Sequence, residues 1–190
     1  MVSAATPKEV MRRVSAVQQA VCALLGVEPD LTPETLPLVD SYLRDSVASL
    51  PPRERDQQLC AAGVYFGEVV RRKLNARWAL ITDAPEEWRV ELSSCFLHFR
   101  PVGMAAEVVF GCETEAYDGS FGTLDELHDE LDEMLQNHPP IPEDEYYSLA
   151  GRIEILELVA DWLVGRRLVD GGPTPPSRYS AEDYRGHLER

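Results

Sequence analysis

Two runs of carboxylates are the residues of this chain best placed to do chemistry. Between Leu124 and Leu135, the acids Asp125, Glu126, Asp129, Glu130, Asp132 and Glu133 are interleaved with Leu124, Leu127, Leu131, Met134 and Leu135. Helical spacing puts the apolar residues on one face and the acids on the rest. It also sets Asp125 beside Asp129, Glu126 beside Glu130 and Asp129 beside Glu133, each pair costing about 0.2–0.5 kcal/mol in repulsion. The second run, Glu143, Asp144 and Glu145, directly follows Pro142. Taken singly, first-turn acids such as Asp125, Glu126 and Glu143 to Glu145 need only the helix dipole to explain them. Taken together they need more, because ordinary solvated faces interleave both signs and residues 101–164 contain no lysine. Such a face attracts a basic protein or a cation and repels nucleic acid and anionic membrane. Partner binding is accordingly assigned to Asp125, Glu126, Asp129, Glu130, Glu133, Glu143, Asp144 and Glu145.

Other chemistries find less support. His128 and Asp132, four apart, could form half of a metal site, but no third ligand stands at a recognisable spacing. The Asp-x-Asp-x-Asp-Gly calcium loop is absent as well. There is no Gly-x-Ser-x-Gly, no phosphate-cradling glycine loop and no His-Glu-x-x-His. His98, in an apolar run, reads as a core or edge residue. Gly63 and Gly67 fall within a helical pattern, where they suit close helix packing. The cluster Arg71-Arg72-Lys73 sits where a helix dipole favours cations, and with Arg77 its expected use is pairing with the acids of 101–164. No catalytic residue, metal or cofactor is assigned.

The charge is very unevenly spread. The 190 residues carry a net charge of -15. Residues 1–100 hold 12 basic and 13 acidic side chains, whereas residues 101–164 hold 16 acids against one base, Arg152. One third of the chain thus supplies the whole excess, a self-repelling arrangement. A hydrophobic content of 44% is enough for a sizeable core. Cys22, Cys60, Cys95 and Cys112 are widely spaced and suit buried thiols in a reducing compartment. With no signal-like N-terminus and no apolar run of about 20 residues, the expected location is cytoplasmic, with no membrane partner. Of the 18 basic residues only Lys8 and Lys73 are lysine, an arginine bias that suits a GC-rich bacterial genome.

The elements that must position these residues follow from periodicity. Thr6-Pro7-Lys8-Glu9 reads as a capping box opening a helix whose stripe is Val10, Val14, Val17 and Val21 and whose stop is Gly26. A second helix starts at Thr32-Pro33-Glu34, and a third runs from Pro52 to about Leu74. Residues 77–82, 88–92 and 95–99 have strand character. Met104 to Phe110 reads as a helix. Thr123 to Glu126 is a second capping box, opening a helix to about Gln136. Pro142 starts a last long helix to about Leu168, with Tyr146, Leu149, Ala150, Ile153, Leu156, Ala160 and Leu163 inward. Gly171 to Pro176 is a linker, and Ser180 to Arg190 at most a short helix on a tail.

The run from Gly63 to Arg72, with Gly-x-aromatic-aromatic-Gly-Glu followed by Trp78 opening a strand, resembles a pattern in small uncharacterised bacterial domains. The resemblance covers roughly residues 55–112 and implies an α+β fold without catalytic residues. The expected architecture is α+β and predominantly helical, with a small antiparallel sheet between an N-terminal three-helix group and C-terminal helices. Residues 1–170 would form one globular domain and 171–190 a Pro/Gly linker and C-terminal tail. The expected function is that of an immunity protein, a cognate inhibitor neutralising a basic bacterial toxin through its acidic surface. A regulatory or assembly adaptor and an enzyme with an unrecognised site are the alternatives.

Overall fold

Valine at successive helical turns drives the first helix, α1 (Lys8–Leu25), and in the computed structural model Val10, Val14, Val17 and Val21 are all fully buried. The structure describes residues 6–166 and 178–188. Gly26 ends α1 in the left-handed conformation, its N–H donating to the Cys22 carbonyl, a stop that a β-carbon would disfavour. Helix α2 (Leu36–Asp45) follows a single 3-10 turn at Pro33–Thr35. Helix α3 (Pro52–Lys73) is the axis of the molecule, buried almost all round from Leu59 to Val70 because α1, α4 (Pro101–Phe110) and the sheet all pack on it. Gly63 and Gly67 permit this. A β-carbon at Gly63 would lie 2.4 Å from the Val102 backbone, and one at Gly67 would lie 2.4 Å from the Trp78 ring.

Four short antiparallel strands, β1 (Ala76–Ala79), β2 (Arg89–Leu92), β3 (His98–Phe99) and β4 (Phe121–Gly122), pair in sequence order. Their register sorts residues by face. Trp78, Val90, Phe99 and Phe121 form one row, turned to the helices, and Phe99 meets Phe66 with ring centroids 5.9 Å apart. Arg77, Glu91, His98 and Gly122 form the opposite row. Helix α8 (Ala181–Leu188) covers that second face, stacking Tyr184 on Phe96 at 4.2 Å and beneath the Arg77 guanidinium at 4.9 Å. The Tyr184 hydroxyl accepts the Leu97 N–H at 2.8 Å and has the carbonyl oxygens of Leu92, Cys95 and Leu97 at 2.9 Å to take its proton. The architecture is therefore α+β and predominantly helical, with the small antiparallel sheet where the sequence placed it.

Several local expectations are corrected. Neither capping box forms: the Thr6 hydroxyl donates to Glu68, Glu9 takes Arg12 and Arg13, and the Thr123 hydroxyl donates to the Phe96 carbonyl at 2.7 Å. In each case the threonine hydroxyl donates to a tertiary acceptor and makes no hydrogen bond to the N–H groups at the start of its own helix. The expected helix 124–136 is a 3-10 turn, Asp125–Leu127, leading into α5 (His128–Gln136). The helix expected from Pro142 onward breaks at Tyr147–Ser148 into α6 (Glu143–Tyr146) and α7 (Leu149–Arg166). That break has a clear cause. Buried Asp40 of α2 accepts the N–H groups of Leu149 at 2.7 Å and Ala150 at 3.2 Å, and the Ser148 hydroxyl accepts that of Gly151 at 2.9 Å. Three donors at the start of α7 are thereby satisfied from outside the helix, which a continuous helix would not allow. Strand β4 was not foreseen, since two residues carry no periodicity. Residues 167 and 168 and the linker 171–176 lie outside the described residues.

Candidate functional site

The first acidic run lies open to solvent. Asp125 and Glu126 are exposed on the 3-10 turn, and Asp129 and Glu133 are exposed on α5. Glu130 differs, because it is half-buried and pairs with Arg166 at the end of α7. Glu143, Asp144 and Glu145 are exposed on α6, whose last turn is tied down by Arg44 donating to the carbonyls of Asp144 (2.8 Å) and Tyr147 (2.9 Å). Of the acids in 101–164, Glu107, Asp118, Glu130 and Glu157 are ion-paired among the described residues, to Arg152, Arg100, Arg166 and Lys73. The remaining acids are exposed and make no ion pair among the described residues. Between the two acidic runs stands the loop 137–142, and beside it a groove of about 420 Å³ is lined by Leu135, Ile141, Tyr146, Ile155 and Leu158. An apolar floor flanked by charge has the composition of a protein-binding patch, with an apolar centre and a polar rim.

A second concavity adjoins this groove, sharing Phe121, Leu135 and Tyr146 with it, and extends towards α4 and α7. It measures about 320 Å³ and collects Glu107, Glu113, Tyr117, Asp118, His128, Asp132, Tyr146 and Arg152 from segments far apart in sequence. At its floor Glu107 and Arg152, each 3% exposed, form a buried ion pair. Burial pushes the Glu107 carboxyl above its ordinary range, against the pull of the Arg152 charge. The Tyr146 ring centroid lies 3.9 Å from the Arg152 guanidinium carbon and holds the group in plane. Two glycines let the loop at 118–119 press onto α4. A β-carbon at Gly103 would meet the Asp118 carbonyl at 1.9 Å, and one at Gly119 would meet the Glu107 carboxylate at 2.4 Å. His128 and Asp132 line this cleft together, yet no cluster of three metal-ligating side chains forms among the described residues.

The arginine cluster is used differently from expectation. Arg71 and Arg72 turn back to fully buried Glu68 on their own helix at 2.8 and 2.9 Å, and Arg77 pairs with Glu91 at 3.1 Å; only Lys73 reaches the acidic stretch, at Glu157. Arg71 and Arg72 reach Glu68 within one turn of α3, and Arg77 meets Glu91 directly across the β1–β2 pair. Burial raises Glu68, but hydrogen bonds from Arg71, Arg72 and Trp78 outweigh it and hold the pKa below the ordinary value. His98 is packed against Phe96, Tyr184 and Gly122, and burial, helped by the charges of Arg89 and Arg100, pushes it down to about 4. It is thus a neutral structural residue near pH 7.

Glu107 and Arg152 were missed as a pair. A signal was present, because each is a charge within an apolar helical run, and a charge at an inward position has to be paired. What the sequence could not supply was the partner, 45 residues away. Comparison with known proteins finds no matching family model, no matching curated protein and no matching solved structure.

Proposed function

We propose that this protein is a binding protein that engages a basic macromolecule through its acidic face, and that it acts as an immunity protein, the cognate inhibitor of a basic bacterial toxin. The observation that carries this reading is that Asp125, Glu126, Asp129, Glu133 and Glu143 to Glu145 are exposed and make no ion pair among the described residues, while Arg152, the sole base of 101–164, is buried. Carboxylates spaced along α5 would stand in for the phosphates that a nuclease binds. The apolar groove at Leu135, Ile141, Ile155 and Leu158 would anchor the partner, with electrostatic steering raising the encounter rate. No helix among the described residues is long and apolar enough to cross a membrane, and a cytoplasmic location belongs to this same proposal.

Capture from a source-cell lysate on the tagged protein, at low and at high salt, tests the reading. The expected result is one basic protein, retained at low salt and weakened at high salt. Purified with that partner, Asp129→Lys and Glu133→Lys should each lower the association rate by about threefold to tenfold at low ionic strength and flatten its salt dependence. Glu130 is unsuited to this test, because it also holds Arg166. Unaltered association in both variants would sink the electrostatic mechanism.

A further inference from the structure

We propose that the exposed run Pro139-Pro140-Ile141-Pro142 is a polyproline II ligand, clasped by a partner protein whose groove is lined by aromatic side chains and bordered at one end by basic ones. This inference rests on the acidic-face reading above and names the surface that the basic partner brings to it. Three of the four residues are proline, and each has its φ fixed at about -65°. His138, Pro139 and Ile141 each precede a proline, which drives their ψ to extended values. The outcome is visible at Pro142, where φ of -53° and ψ of 142° lie close to polyproline II. Residues 138–142 belong to no helix or strand and are all exposed, Ile141 by 36%. The run also stands clear of α7, since it lines two adjoining hollows of about 420 and 320 Å³ that Ile155 and Leu158 of α7 line as well.

Backbone chemistry excludes strand pairing as the mode of contact. The run's only N–H group is that of Ile141, so it lacks the donors that an added strand needs. What it presents is ring faces and carbonyl oxygens. With three residues to a turn, Pro139 and Pro142 fall on one edge about 9 Å apart, where each fits between flat aromatic rings. Proline has already fixed the backbone, so little entropy is lost on binding. Charge sets the orientation. Glu143, Asp144 and Glu145 directly follow the run, are exposed and make no ion pair among the described residues. Arg44, close by, donates to the carbonyls of Asp144 and Tyr147 and to no carboxylate among the described residues. The partner's basic residues therefore belong at the Pro142 end of its groove.

The test uses the full-length protein and the partner it retains from a source-cell lysate, identified, purified and titrated by calorimetry. Pro139→Ala and Pro142→Ala should each raise Kd about tenfold at low and at high salt, because apolar contact is not screened. Both positions are exposed, and melting curves should show that both variants fold. Pro51→Ala, at an exposed proline that opens α3, should leave Kd within about twofold. Decaproline at about 1 mM should raise the apparent Kd of the wild type about twofold or more by competing for the aromatic groove. A Kd unaltered in both proline variants, or no competition by decaproline, overturns the inference, while a basic and salt-sensitive partner still upholds the acidic-face reading. A partner lost in the proline variants yet indifferent to salt keeps the run as the contact, and sinks both the acidic-face reading and the basic border of the groove. No protein retained at either salt overturns the inference and the reading together.

Discussion

Glu68 and Glu107 are both buried carboxylates meeting arginine, yet their ionisation is displaced in opposite directions. The difference is the number of donors. Glu68 receives Arg71, Arg72, Trp78 and Thr6, whereas the arginine Glu107 receives is Arg152 alone. Burial costs a carboxylate several kcal/mol, and a saturated shell of donors is what offsets it. Tyr184 shows the same principle in a neutral group. Tyr184→Phe removes the acceptor of the Leu97 N–H and should destabilise the fold by about 1–3 kcal/mol in urea denaturation with little loss of packing. His98 makes a prediction in pH. Its folded pKa is depressed to about 4 from 6.5, so the unfolded chain binds the proton first as pH falls. Relative to His98→Gln, the wild type should hold its stability above pH 6.5 and lose up to about 3 kcal/mol between 6.5 and 4. Parallel denaturation curves of the two proteins across that window would contradict the depressed pKa.

At the scale of elements, glycine separates packing from propensity. Gly63 lies where α3 touches the first turn of α4, and the 2.4 Å contact that a β-carbon would make there is with backbone, which cannot rotate away. Gly63→Ala should therefore cost about 1–3 kcal/mol. Gly165, on the last turn of α7, has nothing within 4 Å of a built β-carbon. Gly165→Ala should stabilise by up to about 1 kcal/mol, since a helical glycine carries a larger entropy cost than alanine. Thermal melts of the two variants should move in opposite directions. The break between α6 and α7 belongs to this scale too: Asp40, a single residue of α2, decides where α7 starts and thereby where Arg152 stands in the cleft.

For the whole molecule, the net charge of -15 sets stability against binding. Glu133→Lys places a lysine one turn after Asp129, turning a repulsive pair into an attractive one and relieving self-repulsion. It should raise the melting temperature at low salt while weakening capture of a basic partner. A variant that both melted lower and bound less would point instead to a structural role for the α5 acids. Sites that trade stability for function are expected to show that opposition.

The helix stripes were legible because one face of a helix repeats every few residues: Val10, Val14, Val17 and Val21 announce α1, and the apolar positions of α3 and α7 announce theirs. The charge imbalance was likewise a property of the chain, independent of folding. The two-residue strand β4, the break before Leu149 and the diversion of Thr6 and Thr123 from capping were not legible, since each depends on an acceptor or neighbour distant in sequence. The cleft is the fullest case. Glu107, Asp132 and Arg152 line one concavity only when α4, α5 and α7 pack together, and no local spacing encodes that meeting. Sequence by itself determined how charge is distributed along the chain and where the long amphipathic helices run, because those are local sums; tertiary structure alone decided where those helices break, which charges find partners and which remain available, because that is a matter of distance in space.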